Sequence, residues 1–287
     1  MQGIFLLWML LLFSFLSAKV NLKKIPWWVY CLLLYVELFV TFFLPLNASH
    51  RYVGTLGEPN ALAAFALFLW VFGWFSVGTQ NSAPLHAMFK KMLLFLPTIV
   101  LLYLSGSKSG MIAFGIVLLF IFLQRINVSL RKTVFICLCL YAISYALPFF
   151  HQTPYENRVE IWESALYAGL INPILGQGFG NTEIALHNAA AGLGLPIQYY
   201  YVDSSHNIFL DWWVQGEVVG ISLLIVLVYS AFRCFVQQDN KRELALLLGI
   251  MTMLSFNPAS VVGLLGFWWV IGQNFTNSDY ISECLRR

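Results

Sequence analysis

Apolar residues along the chain gather in blocks near 3–18, 25–46, 61–78, 92–104, 110–124, 133–150, 206–232, 244–256 and 259–272. A helix crosses the hydrocarbon core with roughly 20 apolar residues. Only helices and closed barrels satisfy their backbone polar groups in lipid, and a barrel strand would alternate apolar and polar positions. These blocks are continuous. They predict an all-α polytopic membrane protein with about nine transmembrane helices, several of them short. The longest hydrophilic stretch, 151–205, divides the chain into N-terminal transmembrane helices (1–150), a large loop and C-terminal transmembrane helices (206–287). The loop is rich in aromatic and aliphatic residues, so it is expected to form a partly ordered subdomain lying on the membrane. Ile161, Trp162, Ala165 and Leu166 share one helical face, which predicts a helix over about 157–170. Asn172–Pro173 ends it, and Gly176, Gly178 and Gly180 turn the chain.

Composition agrees with that pattern. Of 287 residues, 60% are hydrophobic and 10% charged, against about 25% charged in an ordinary soluble domain. Soluble enzyme, nucleic-acid binder and disordered scaffold are all poor readings. The net charge of +3 decides little; the positions of the charges decide more. Basic residues of short loops favour the cytoplasm. The first block has small residues near its end, as a signal peptide would. It lacks a basic residue before the apolar run, and Lys19, Lys23 and Lys24 follow it, which favours a first span with the N-terminus outside. The inner connections then hold Lys19, Lys23, Lys24, Lys90, Lys91, Arg125, Arg131, Lys132, Arg233, Lys241, Arg242, Arg286 and Arg287. Of the 16 basic residues, only Arg51, Lys108 and Arg158 remain outside. Cys31, Cys137, Cys139, Cys234 and Cys284 fall in the inner half or tail, so no disulfide framework is expected.

The outer residues are the candidates for chemistry. Lys108 lies in Ser105-Gly106-Ser107-Lys108-Ser109-Gly110, a polar break between two apolar blocks. Hydroxyls and free amides around an ammonium suit an anion such as a diphosphate; a snorkelling lysine in a tight turn is the plainer alternative. Arg158 opens the loop helix, where it opposes the helix dipole. Its guanidinium could grip phosphate bidentately, or pair with Glu160, Glu163 or a lipid headgroup. His206 stands where the polar loop re-enters the apolar region, fit to act as base or acid, or simply as an interfacial histidine. Tyr199, Tyr200 and Tyr201 suit an interfacial belt or sugar stacking. Gly176-x-Gly178-x-Gly180 has no following Lys-Ser/Thr and no strand–helix context, so it is a turn rather than a nucleotide loop. Glu37 and Glu217 are carboxylates within or near spans, with no role assigned.

Several of these motifs resemble those of the bacterial O-antigen ligase and O-antigen polymerase superfamily. They are Asn157-Arg158-x-x-Ile161-Trp162, then Asn172-Pro173-Ile174-Leu175-Gly176-x-Gly178-Phe179-Gly180-Asn181, then Ser205-His206-Asn207-Ile208-Phe209-Leu210 with Gly216-Glu217-x-x-Gly220. Ser105–Gly110 is similar to the family's Ser-Arg-Ser/Gly hairpin. Gly54-x-x-Gly57-x-Pro59-Asn60-x-Leu62-Ala63 is similar to its earlier Gly/Pro-Asn-Leu-Ala motif. The resemblance runs from about residue 50 to the C-terminus. It implies a GT-C-like helical bundle in the bacterial inner membrane with its active site facing outside. The implied activity is an inverting, metal-independent glycosyltransferase without cofactor. Its partners would be an undecaprenyl-diphosphate-linked glycan donor, a lipid A-core or lipid-linked acceptor and the membrane lipids, with no nucleic acid. Family arginines bind the diphosphate and the family histidine is implicated as base, which carries over to Arg158 and Lys108 as diphosphate ligands, Arg51 as a further anion contact and His206 as catalytic base. Lys108 stands where the family usually has arginine, keeping charge and losing fork geometry. Members commonly have several more spans before the Gly54 region, so this would be an N-terminally short member. The acceptor pocket lies in variable loops, so ligase, polymerase and protein O-oligosaccharyltransferase all remain open. Rival readings are a lipid-linked glycan transporter or flippase, and an inactive truncated paralogue.

Overall fold

The structure is a computed structural model that describes residues 2–18, 25–47, 50–78, 83–146, 157–171, 174, 176–196, 202–258 and 260–273. The described residues form eleven α-helices: α1 (Gln2–Ala18), α2 (Trp27–Thr41), α3 (Pro59–Gly78), α4 (Pro84–Ser105), α5 (Lys108–Arg125), α6 (Leu130–Ser144), α7 (Arg158–Ile171), α8 (Thr182–Leu193), α9 (Ile208–Gln237), α10 (Lys241–Leu254) and α11 (Val261–Gln273). Each of the nine apolar blocks coincides with a helix. Four helical segments, Pro59–Val77, Pro84–Ser105, Lys108–Arg125 and Ile208–Gln237, are long and apolar enough to cross a membrane; Trp27–Thr41 and Val261–Gln273 are shorter apolar helices.

The bundle is built around α10, whose residues from Arg242 to Leu254 are all buried. It packs on α3, α5, α9 and α11. A helix that is apolar on every side belongs inside a bundle, which accounts for a block too short to span comfortably. Trp70, Phe120, Phe235, Phe267, Leu34, Leu62, Leu94 and Leu101 are fully buried in this core. Large apolar side chains such as Leu85, Phe89, Tyr103, Phe135 and Val226 point outward. In water such a surface would mark an interface or an aggregation site; against lipid it costs nothing. The protein is a multi-pass helical membrane protein.

A second cluster joins α7, α8 and the first part of α9 through Ile161, Ala165, Ala168, Leu186, Ala189 and Val214. Helix α7 follows the expected bounds, and Ile161 and Ala165 of its expected face are buried with Trp162 packed beside them, but Leu166 departs from that face. Leu166 is 53% exposed while Ala165, Ala168 and Gly169 are buried. Small residues permit close helix approach, and lipid accepts the larger ones. Helix α7 ends at Ile171; Asn172 and Pro173, to which the sequence assigns that stop, lie outside the described residues. Tyr199–Tyr201 and Cys284 also lie outside them. Cys31, Cys137, Cys139 and Cys234 are free thiols.

Helix α9 is not one continuous span. At Glu217 the backbone turns to φ 50°, ψ −138°, breaking it into two arms. The last carbonyls of a helical arm lack intrahelical donors, and lipid offers no substitute. The glycine turn supplies them: Gln177 N donates to Val214 O and Gly178 N to Gln215 O, both at 3.0 Å. Gly176, at φ +71°, passes so close that a Cβ would sit 2.6 Å from the Gln215 carbonyl. The Gly176–Gly180 motif therefore caps the break in α9. Gly176→Ala is expected to destabilise the protein by about 2 kcal/mol or more, combining the left-handed backbone cost with a steric clash. The measurement is a thermal melt in detergent; an unchanged midpoint would contradict this docking.

Candidate functional site

One end of the bundle collects the polar residues of four separate segments. Helix α4 stops because Gly106 takes a left-handed conformation after Ser105, and α5 starts because the Ser107 hydroxyl accepts from Gly110 N at 3.2 Å. The hairpin is thus two residues long, and Lys108 stands at the first turn of α5 with an exposed side chain. Arg51 lies across it. Its Nε donates to Ser105 O at 2.7 Å and its Nη2 to Asn60 Oδ1 at 3.3 Å. Ser107 Oγ also donates to Asn60 Oδ1, at 3.0 Å, and lies 3.2 Å from Ser109 Oγ. Burial pulls the Arg51 pKa below its ordinary value, with Glu58 opposing; arginine stays cationic regardless.

The turn between α10 and α11 connects this hairpin to the loop helices. Asn257 Nδ2 donates to Ser109 Oγ. One residue earlier, Phe256 O accepts from Arg158 Nη1 at 2.6 Å. Ser255 Oγ lies 2.6 Å from Tyr141 Oη, which lies 3.0 Å from Tyr145 Oη. Tyr145 Oη in turn accepts from Asn207 Nδ2 at 3.3 Å. The side chain of Asn207 caps α9 by accepting from Phe209 N at 2.9 Å.

His206 sits in the middle of this arrangement, 6% exposed, with φ +56°. Its neighbours fix that backbone. Ser205 donates both N and Oγ to Asp211 Oδ1 at 2.7 Å, and Ser205 O accepts from Trp162 Nε1 at 3.0 Å. Burial first, then the positive charge of Arg158, push the His206 pKa down to about 4, with Asp203 opposing. The imidazole is therefore neutral at neutral pH, with a lone pair open to a proton, and is a weaker base than an exposed histidine until negative charge offsets Arg158. Burial raises the pKa of Glu58, Asn60 and Arg51 lower it, and Asp203 adds a smaller upward push. Arg51, Glu58, Asp203, His206 and Arg158 thus form a continuous electrostatic group.

The structure brings His206 and Arg158 together and places Arg51 and the Lys108 hairpin on the same end, tied to them through Asn257 and through Glu58–Asp203. The sequence reading missed the Ser255–Pro258 turn, Glu58 and Asp211. Asn257–Pro258 is a turn dipeptide between two apolar blocks, which was the available signal. Beside the turn lies a cavity of about 310 Å³ whose lining includes the polar Asp203, Ser204, Asp211, Thr182 and Gln215 and the apolar Trp212, Leu264 and Trp268.

Residues 93–225 match the family model described as O-antigen ligase. Over that span the chain is similar to the O-antigen ligase superfamily. The matched span holds Lys108, Arg158 and His206, and ends within the second arm of α9; Arg51 and the Ser255–Pro258 turn lie outside it. The chain is 26% identical over 235 residues to the ComP-specific O-oligosaccharyltransferase of Acinetobacter baylyi, covering 74% of this chain and 41% of the relative. It therefore spans less than half the length of that curated relative.

Proposed function

We propose that this protein, similar to the O-antigen ligases, transfers a glycan from a polyprenyl-diphosphate donor to an acceptor hydroxyl at the outer face of the bacterial inner membrane. The observation that carries the reading is a buried His206 at the same end of the bundle as Arg158, whose guanidinium is held on the Phe256 carbonyl. In this reading His206 takes the proton of the acceptor hydroxyl, whose oxygen attacks the anomeric carbon of the donor sugar. The bond from that carbon to the diphosphate oxygen breaks in the same displacement, so configuration inverts. The departing polyprenyl diphosphate carries negative charge, met by Arg158, Lys108 and Arg51; preorganised charge at such a position is the largest single catalytic contribution in most enzymes. In this mechanism side-chain cations serve the leaving group, with neither metal nor cofactor. The cavity beside Asp203 and Asp211 offers carboxylates suited to sugar hydroxyls and aromatic walls suited to sugar faces.

The oligosaccharyltransferase relative favours a glycan moved as a block, and the acceptor is lipid A core, another lipid-linked repeat unit or a protein hydroxyl. The large loop, 151–205, would stand outside as its own subdomain, with nine spans overall. The test is to incubate the purified protein with a polyprenyl-diphosphate glycan and each acceptor class, following both transfer and release of polyprenyl diphosphate. Transfer with at least one acceptor is expected. Translocation of the lipid-linked glycan in liposomes with no transfer to any acceptor would replace the enzyme by a flippase. Orientation has a separate check in intact spheroplasts lacking native cysteines: an impermeant thiol reagent should label Lys108→Cys and leave Lys90→Cys unlabelled. The reverse pattern would invert the topology.

A further inference from the structure

The opposite end of the same helices carries a cavity of about 650 Å³ that glycan transfer does not use. Helix α4 carries Ser105 at one end and Lys91 fourteen residues away, so the two ends lie roughly 21 Å apart at 1.5 Å per residue. Helices α5 and α10 repeat that polarity, with Ser109 and Asn257 at the site end and Arg125 and Lys241 at the other. Lys91, Arg125 and Lys241 all line the cavity, and none of its lining residues is acidic. Lys91 and Arg125 are close enough to repel each other. The Lys91 ammonium stands 4.6 Å from the Trp74 ring centroid, held over an aromatic face. Lys241 has Asp239 at 3.7 Å, but that aspartate is not part of the cavity lining and is 70% exposed. The N-terminus of α10 adds its dipole to the same side.

Three cations held around one concave wall without an acid among its lining residues are complementary to an anion. The rest of the wall identifies which kind. Phe95, Phe120 and Trp74 give an apolar floor, useless to a hydrated inorganic ion and fitted to an acyl chain. Met88 and Met92 form part of the lining and are 56% and 61% exposed, so the cavity opens sideways through the apolar face of α4 rather than only at the end of the bundle.

We propose that this cavity is a binding site for an anionic phospholipid. Its phosphodiester sits among Lys91, Arg125 and Lys241, and an acyl chain lies against Trp74, Phe95 and Phe120. The lipid would bridge the ends of α4, α5 and α10 at the point where like charges otherwise push them apart. The inference is independent of the transfer reaction at the other end.

The test is thermal stability and lipid retention of delipidated protein, the latter by native mass spectrometry. Phosphatidylglycerol, phosphatidylcholine and inorganic phosphate are added in turn. Phosphatidylglycerol is expected to raise the melting temperature and survive detergent washing, whereas phosphatidylcholine and inorganic phosphate do neither. With each basic side chain near an anionic lipid contributing a similar increment, the combined Lys91→Gln, Arg125→Gln and Lys241→Gln variant should bind phosphatidylglycerol about 100-fold more weakly. A matched variant at the same end, Arg131→Gln with Lys132→Gln and Arg233→Gln, should bind it as the wild type does. Equal retention of the two phospholipids overturns the headgroup assignment, and equal stabilisation by inorganic phosphate overturns the lipid. Equal weakening in both variants reduces the effect to general surface charge and overturns the site. If the cavity variant fails to fold, the wild-type comparison of the three additives still decides.

Discussion

Replacing His206 by asparagine is expected to reduce glycan transfer by roughly 10²–10⁴-fold, the contribution of a positioned general base, while leaving the fold in place. Asparagine is the informative choice because His206 sits at φ +56°. Asparagine enters that left-handed region readily, whereas most residues with a Cβ are strained there. An alanine at the same position mixes a lost base with about 1–2 kcal/mol of backbone strain. The melting temperature at neutral pH should therefore match the wild type, with activity lost. Transfer by the asparagine variant at wild-type rate would remove His206 from the mechanism. Acid provides a second reading. The unfolded imidazole takes up a proton below its ordinary 6.5, while the native one resists until about 4. The unfolded state then binds more protons in that window, so stability falls as pH drops through it. For this largely buried group the loss is about 3 kcal/mol. The asparagine variant should lack that component of acid sensitivity, a difference visible in melts between pH 4 and 6.5.

Replacing Arg158 by glutamine is expected to lower kcat by roughly 10²–10³-fold, as removal of a preorganised charge from the site of developing negative charge does elsewhere. Its pH dependence separates this role from a structural one. Arg158 depresses the His206 pKa, so without it the imidazole becomes more basic. The acid limb of kcat/KM, which reports the free enzyme, should move to higher pH. Wild-type protein should show a related difference between its own parameters. If Arg158 holds the donor diphosphate as proposed, the bound anion offsets its charge, so the acid limb of kcat should lie above that of kcat/KM. Arg158→Lys should keep part of the rate, retaining charge but losing the guanidinium fork. Loss of activity with no movement of either limb would mean that Arg158 acts only through its bond to Phe256 O.

Helix α9 joins the scaffold to this chemistry. Its first arm carries Asp211, which holds Ser205 and so sets the backbone of His206. The break at Glu217 turns the second arm away, and the Gly176–Gly180 turn closes the carbonyls left behind. A straight α9 would have no orphan carbonyls at Val214 and Gln215 for the turn to meet. The glycine spacing was visible from the start as a turn; its partner was not, because a break inside an apolar block leaves no mark on hydropathy.

The sequence by itself determined the solvent, the helices and the short list of reactive groups. Scarcity of charge and nine continuous apolar blocks are properties of composition and local order, and each block coincides with a helix. Sorting the basic residues singled out Arg51, Lys108 and Arg158 before any fold was known. Only the tertiary structure decided how these residues meet. The bond from Asn257 to Ser109 spans 148 positions and that from Arg158 to Phe256 spans 98, separations at which periodicity carries no information. On α7 the structure departs from the sequence pattern at Leu166 for a related reason. Size and apolarity mark the buried face in water, but in lipid both faces are apolar, and close packing selects Ala168 and Gly169 over Leu166. The neutrality of His206 likewise belongs to the tertiary structure, since burial and the field of Arg158 depend on a neighbour 48 positions earlier in the chain.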